Sequence, residues 1–290
     1  MNDVLWFNGR FTTTDERVLR VEDRGFLFGD AVYEVFKFID KNPIFLRDHW
    51  LRLSNGLKSL AIRNPWDEQT FIATMTELLE RTAFDAGIVY IEVSRGEGER
   101  AHVFPDDMTP TGVAFSRRFN FPDAAKHERG IRLISTDDLR WKHCDVKSVN
   151  LLANALAKKH AQRKGGDEVL LIDCNIVREC GSSSFFIVKS GVVITHPLDC
   201  HILPGVTRDR VIALADRVEE RLIDVRELDD ADEIFITSTT LGVMPVNQVD
   251  DRAKRTRGPI TAELQQRLEE AEVEGRTPSS AHAAKPRDIR

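Results

Sequence analysis

Three groups of residues in this 290-residue chain have the types and spacing for one shared chemistry. Lys147 lies in Cys144-Asp145-Val146-Lys147-Ser148-Val149-Asn150-Leu151-Leu152, after a strand-like run at 130–135. Behind it Val149, Leu152, Ala153, Leu156 and Ala157 recur at three- and four-residue steps, which predicts a helix with Ser148 as N-cap and Lys147 at its entrance. A lysine on a loop fixed from both sides is a candidate nucleophile toward a carbonyl. Glu179, expected to end a strand before Cys180-Gly181-Ser182-Ser183-Ser184, could keep a pyridine nitrogen protonated and make that ring an electron sink. Gly205-Val206-Thr207 opens another predicted helix with Thr207 as N-cap, and the free N–H groups of such a start hold phosphate. Ser238-Thr239-Thr240, after a predicted strand, adds hydroxyl donors, and Arg52, between Leu51 and Leu53, could bond the same phosphate.

Taken singly, each residue has an ordinary reading: Lys147 and Arg52 as solvated cations, Glu179 as a turn residue. A cation at a helix N-terminus also sits at the wrong end of the dipole. Together, a lysine, a phosphate cradle and a separate carboxylate are the parts needed to hold pyridoxal 5′-phosphate. No G-x-x-x-x-G-K-[ST] loop and no G-x-G-x-x-G fingerprint is present, which disfavours nucleoside triphosphates and dinucleotides.

The elements that must position these groups follow from periodicity and turn signals. Asn8-Gly9 joins Val4-Leu5-Trp6-Phe7 to Arg10-Phe11-Thr12-Thr13 as a hairpin. A strand over 30–39 is expected to end at Asn42-Pro43. Asp48 is expected to cap a helix with the stripe Trp50, Leu53, Leu57 and Leu60, and a second helix starts near Trp66-Asp67 with Phe71, Met75, Leu78 and Leu79 inward. Strands at 88–94 and 112–117 complete a small N-terminal α/β domain, residues 1–118. The polar, aperiodic stretch 119–128 reads as an interdomain linker, beside which a ligand site is favoured. A larger cofactor-binding domain, 129–272, then has strands at 168–173, 176–179, 185–189 and 192–195 in an antiparallel meander, with tight turns at Cys174-Asn175 and Ser190-Gly191. Its next helix carries the stripe Val211, Ile212, Ala215 and Val218, a strand covers 233–237, and a last helix covers 260–272. The small, polar residues 273–290 read as a disordered tail. The fold class expected is α/β with α+β character, in two domains.

A net charge of −6 argues against general nucleic-acid binding, and no apolar run approaches the length of a membrane span. With no signal-peptide layout, a cytoplasmic location is expected. Cys144, Cys174, Cys180 and Cys200 have no paired spacing that would suggest a metal site or a disulfide framework.

Across residues 5–249 the chain resembles the class IV aminotransferases, the fold-type-IV pyridoxal-phosphate enzymes, and within them the D-amino-acid branch. The matching stretches are Glu22-Asp23-Arg24-Gly25, Phe28-Gly29-Asp30-Ala31-Val32-Tyr33-Glu34-Val35, Arg95-Gly96, Arg100-Ala101-His102 and Phe104-Pro105. Beyond the linker they are Arg140-Trp141, Cys144 to Ser148, Val177-Arg178-Glu179, Gly205 to Asp209 and Thr237 to Thr240. The resemblance implies a homodimer, with the active site near the subunit interface, that transaminates between D-amino acids and 2-oxo acids by a ping-pong route. It implies that Lys147 forms the Schiff base to the cofactor and acts as proton carrier, and that Glu179 pairs with the pyridine nitrogen. Arg52, Val206, Thr207, Ser238 and Thr239 would hold the phosphate. Tyr33, Arg100, His102 and Thr240 would hold the substrate, with the α-carboxylate on Arg100, Tyr33 and His102. Ser184, Cys180 and the stretch Leu241-Gly242-Val243-Met244 depart from the family pattern. Leu241 and Met244 are therefore expected on a more apolar pocket wall that admits bulky substrates. A branched-chain L-amino-acid aminotransferase, an (R)-amine transaminase, an aminodeoxychorismate lyase and a non-catalytic binding protein are the alternatives.

Overall fold

The computed structural model describes residues 4–252 and 256–276. In chain order it has β1 (Val4–Phe7), β2 (Arg10–Thr13), α1 (Arg24–Phe28), β3 (Ala31–Ile39), β4 (Asn42–Pro43), α2 (Leu46–Ser59), α3 (Glu68–Arg81), β5 (Gly87–Ser94) and β6 (Thr111–Arg117). Then come α4 (Ala124–Arg129), β7 (Ile131–Asp137), α5 (Leu152–Arg163), β8 (Glu168–Asp173), β9 (Ile176–Cys180), β10 (Ser184–Lys189) and β11 (Val192–Thr195). The chain finishes with α6 (Val206–Leu214), β12 (Val218–Glu220), β13 (Ile223–Asp224), α7 (Glu227–Asp230), β14 (Glu233–Ser238), β15 (Gly242–Val249) and α8 (Pro259–Glu274). No helix among the described residues is long and apolar enough to cross a membrane.

The first half forms an antiparallel sheet in the order β2-β1-β6-β5-β3-β4. Asn8 and Gly9 take positive φ at the β1–β2 turn. Strand β3 alternates so that Val32, Glu34, Phe36 and Phe38 all point inward, and the apolar members meet Trp50, Leu53 and Leu57 of α2 and Phe71, Met75 and Leu78 of α3. Asp67 caps α3 through Thr70 N at 2.7 Å, at the helix start expected near Trp66-Asp67. The second half is a mixed nine-stranded sheet, β12-β11-β10-β14-β15-β7-β8-β9-β13, covered by α5, α6 and α8.

Several expectations are corrected. The turn after β3 is Asp40-Lys41, both with positive φ, and Asn42–Pro43 pairs back as β4 instead of ending the strand. Helix α2 starts behind Phe45, in a left-handed conformation at φ 52°, while Asp48 lies in the first turn and pairs with Arg210 of α6. The 119–128 stretch is not structureless, because Asp123 caps α4 through Lys126 N at 2.8 Å. The β8–β9 and β10–β11 hairpins have the expected turns, but β14, β15 and β7 separate them, so they do not form one continuous meander. Helix α6 has Gly205 as N-cap and Thr207 inside it, and it ends at Leu214, leaving Val218 in β12. A Cβ at Gly205 would lie 2.8 Å from Ser184 Oγ, so glycine permits this tight entry. Gly275 and Arg276, placed in the expected tail, pair with Phe45 and Ile44; the rest of that tail lies outside the described residues.

Ser148 is not a helix cap. Helix α5 begins four residues later, at Leu152, because β3 uses the backbone ahead of it: Tyr33 N donates to Lys147 O at 2.9 Å, and Val149 N donates to Ala31 O at 3.2 Å. Val146 is buried in the core of the first half. The lysine loop belongs by sequence to the second half and by packing to the first. Leu152 and Leu156, expected on a buried stripe, are 73% and 63% exposed within one chain.

Candidate active site

An open cleft collects side chains from both halves. Tyr33, Arg52, Lys147, Glu179, Val206, Thr207, Ser238 and Thr239 line it together with Arg140, Asn150, Ser183, Ser184, Leu203, Gly205 and Thr237. Lys147 extends from its pinned backbone so that Nζ stands 4.3 Å from the centroid of the Tyr33 ring. That ring stacks on Tyr90, whose hydroxyl donates to Glu92 at 2.7 Å. The lysine loop therefore cannot be moved without disturbing β3.

One wall is cationic. Arg52 donates Nε and Nη2 to the two carboxylate oxygens of Glu34 at 2.9 and 2.6 Å, and Nη1 to Pro204 O at 3.1 Å. A guanidinium has five N–H donors, so two remain for the cleft. Glu34 is fully buried, which on its own would raise its carboxyl, yet the charge of Arg52 and the hydrogen bonds from Arg52 and His49 outweigh burial and hold it well below the usual range. His49 Nδ1 meets Glu34 Oε1 at 3.0 Å, and burial, against the pull of Glu34, lowers the imidazole toward its neutral form. Beside Arg52 the first N–H groups of α6, at Val206 and Thr207, open onto the same space.

Another wall is anionic. Arg140 gives Nε and Nη2 to Asp138 at 2.9 and 2.7 Å, and Nη1 to Glu179 Oε1 in a short ion pair. Leu203 N reaches Glu179 Oε2 at 3.2 Å. Burial raises the Glu179 carboxyl, and Arg140, which it shares with Asp138, offsets only part of that rise. One guanidinium against two carboxylates leaves this wall with a net negative charge.

Whether pyridoxal 5′-phosphate suits these residues can be tested on the cleft itself. Ser183 Oγ and Thr237 Oγ1 are buried on its wall with no hydrogen-bond partner, which is costly unless a ligand meets them. Together with the spare donors of Arg52 and the α6 N-terminus, they match a phosphate. Glu179 on the anionic wall matches a protonated ring nitrogen, and Lys147 matches an aldehyde. The residues fit the group.

Arg100, His102 and Thr240, expected to hold substrate, are not part of this lining. Arg100 and His102 sit on the 96–104 loop around Phe28 of α1, with Arg100 Cζ 5.5 Å and the His102 ring 5.8 Å from the Phe28 ring. The expected apolar wall is also corrected: Met244 is fully buried in the core of the large sheet, where it pairs with Ile236, and Leu241 packs against that core. Cys180 and Ser184 do line the cleft. Sequence reasoning missed Glu34, His49, Asp138 and the holding role of Arg140. A signal existed for Glu34, which shares the inward face of β3 with Val32 and Phe36, where an acid needs a buried cation.

Residues 31–249 match the family model for class IV amino-transferases. The D-alanine aminotransferase of Bacillus licheniformis is 35% identical over 269 residues, covering 91% of this chain and 95% of the relative. That of Listeria innocua is 36% identical over 268 residues, covering 89% and 92%. Among solved structures, the branched-chain aminotransferase of Thermoproteus uzoniensis superposes with a TM-score of 0.86 at 23% identity, over 97% of this chain and 100% of that one. That likeness establishes the fold.

Proposed function

The chain belongs to the class IV aminotransferases, which work with pyridoxal 5′-phosphate, and from that premise we propose that it exchanges amino groups between D-amino acids and 2-oxo acids as a cytoplasmic homodimer. The observation that carries this reading is the convergence of Lys147, Glu179 and unsatisfied phosphate donors on one cleft. The D side of the reading is supported by the Arg100-Ala101-His102 stretch and the similarity to D-alanine aminotransferases.

When bound, the cofactor supplies the electron-withdrawing ring that stabilises negative charge at the substrate Cα. The chain does the rest. Arg52, the Val206 and Thr207 N–H groups, Ser238 and Thr239 bind the phosphate and fix the ring's position. Glu179, oriented by Arg140 and Leu203 N, keeps the ring nitrogen protonated. Lys147 Nζ would anchor the cofactor and serve both as the base for the substrate Cα proton and as the acid that redelivers it within the same half-reaction, the second half-reaction running this transfer in reverse. Tyr33 borders Lys147, its ring centroid 4.3 Å from Nζ. Arg100 and His102, with Tyr33 and Thr240, grip the α-carboxylate, and the face of Cα turned toward Lys147 then selects D over L. Arg100 and His102 lie outside their own chain's cleft, and in the proposed homodimer the second copy delivers them. Phe26, Val103, Leu152 and Leu156, between 63% and 85% exposed, supply the apolar surface such a dimer would cover.

Half-reactions with paired D- and L-amino acids, followed by the cofactor's visible absorbance, test the proposal. D-alanine or D-glutamate should discharge the band far faster than either L-enantiomer. Preference for branched L-amino acids or for a carboxylate-free amine would overturn it, as would release of pyruvate without an amino acceptor.

A further inference from the structure

The loop that carries Arg100 and His102 is tied to α1 by the backbone bond from Arg24 N to Gly96 O at 2.9 Å and, at its Ala101, by the buried Arg24 guanidinium, while Arg95 stacks on its Phe104. Arg24 is 4% exposed. Its Nη1 donates at 2.7 Å to the carbonyl of Ala101, the residue between Arg100 and His102, and its Nε donates to Asp30 Oδ2 at 2.9 Å. Asp30 accepts two further bonds from Arg95, at 2.8 and 3.0 Å. The Arg24 guanidinium lies 4.4 Å from the centroid of Phe28 and 5.1 Å from that of Phe104. Phe28 is the ring that both Arg100 and His102 touch, and neither of those side chains has a hydrogen bond of its own among the described residues. Two buried guanidiniums share the Asp30 carboxylate, with the buried Asp23 adjoining Arg24 in the chain. An apolar side chain would fill this space at lower desolvation cost, so packing does not account for Arg24.

We propose that Arg24 is a positioning residue: through the Ala101 carbonyl and the Phe28 ring it sets where Arg100 and His102 present to the substrate carboxylate. This rests on the reading that those two residues bind that carboxylate. Arg24→Lys keeps the charge beside Asp30 but lacks the fork that reaches Asp30 and Ala101 together. Phe28→Leu removes the ring and leaves that fork intact, so it carries the test even if the lysine variant folds poorly.

On the holoenzyme, KM and kcat for D-alanine would be measured together with calorimetric binding of propionate, a carboxylate that cannot react. Either variant should raise KM and weaken propionate by about tenfold, the scale of one charged hydrogen bond. The visible cofactor band should be unchanged and kcat should hold within about twofold. Introduced into an Arg100→Ala/His102→Ala background, either change should add less than about twofold, because it acts through the residues already removed. A loss of kcat or cofactor band with unchanged KM and propionate binding would overturn the proposal, as would losses that multiply in the combined variant. If Arg100→Ala weakens propionate while neither Arg24→Lys nor Phe28→Leu does, only the role of Arg24 falls. If Arg100→Ala itself leaves propionate binding intact, the carboxylate reading falls with it.

Discussion

On one wall of the cleft Glu34 holds Arg52; on another Arg140 holds Glu179. Both pairs are buried, yet they serve opposite partners. Glu34 has no exposed surface and takes bonds from Arg52 and His49, so its carboxyl is held low and Arg52 is the member left facing the cleft. Arg140 is divided between Asp138 and Glu179, so the Glu179 carboxyl stays raised by burial and is the member that lines the cleft with an incomplete partner set. The same ion pair thus yields a cationic wall or an anionic wall, depending on which member has hydrogen-bonding capacity to spare. A ligand with a phosphate on one side and a basic ring nitrogen on the other needs both.

The largest effect is expected at the residue both walls serve. Lys147→Ala should abolish multiple turnover, a loss beyond the ~10²–10⁴-fold that a general base alone contributes; substantial residual turnover in a steady-state assay would contradict its role. The two walls should then separate. Glu179→Gln should cut kcat by about 10²-fold with little change in cofactor affinity. Arg52→Gln should weaken cofactor binding by about tenfold or more and leave kcat nearly intact at saturating cofactor. Equal effects of the two variants on both quantities, by spectroscopic titration and initial rates, would erase the distinction between the walls.

The acid limb of apo-enzyme stability separates the pairs by sign. Glu34 is held below its ordinary value of 4.5, so the native state favours its ionised form; its contribution is complete above that value and drains away as pH falls below it. Glu179 is raised, so its contribution is complete at low pH and drains away as pH rises through its native value. In chemical unfolding between about pH 3 and 7, Glu34→Gln should flatten the acid-side loss of stability, and Glu179→Gln should raise stability toward neutral pH relative to wild type. A Glu34→Gln acid limb as steep as wild type would show that the buried pair is not its source. The smallest effect is expected away from both walls: Leu156→Lys should change monomer stability by no more than about 0.5 kcal/mol and shift sedimentation toward a monomer. An unchanged dimer would remove α5 from the interface.

What was legible in the sequence follows the range of the physics involved. The hairpin at Asn8-Gly9, the helix start near Trp66-Asp67 and the α3 stripe are local, and they match the structure. Lys147, Glu179, Arg52, Val206, Thr207, Ser238 and Thr239 were expected on one ligand and share one cleft. Ser148 is not the cap its local period predicts, because its neighbours' backbone groups go to β3, more than a hundred residues earlier, which no local period encodes. The separation of the two hairpins likewise depends on β14 and β15 inserting between strands that precede them in the chain. Phe45 adopts a left-handed φ that its own residue type disfavours, so the start of α2 was not readable from cap preferences. Arg100 and His102 lie outside the cleft of their own chain, on a loop tied to α1 by Arg24, a long-range contact that no local pattern encodes.

The central claim is that Lys147 and the two glutamate–arginine walls together form the pyridoxal 5′-phosphate site. Borohydride reduction of the holoenzyme followed by peptide mass mapping tests it most directly. The account predicts one phosphopyridoxyl group per chain, on Lys147, and a label on another lysine, or none, would contradict it.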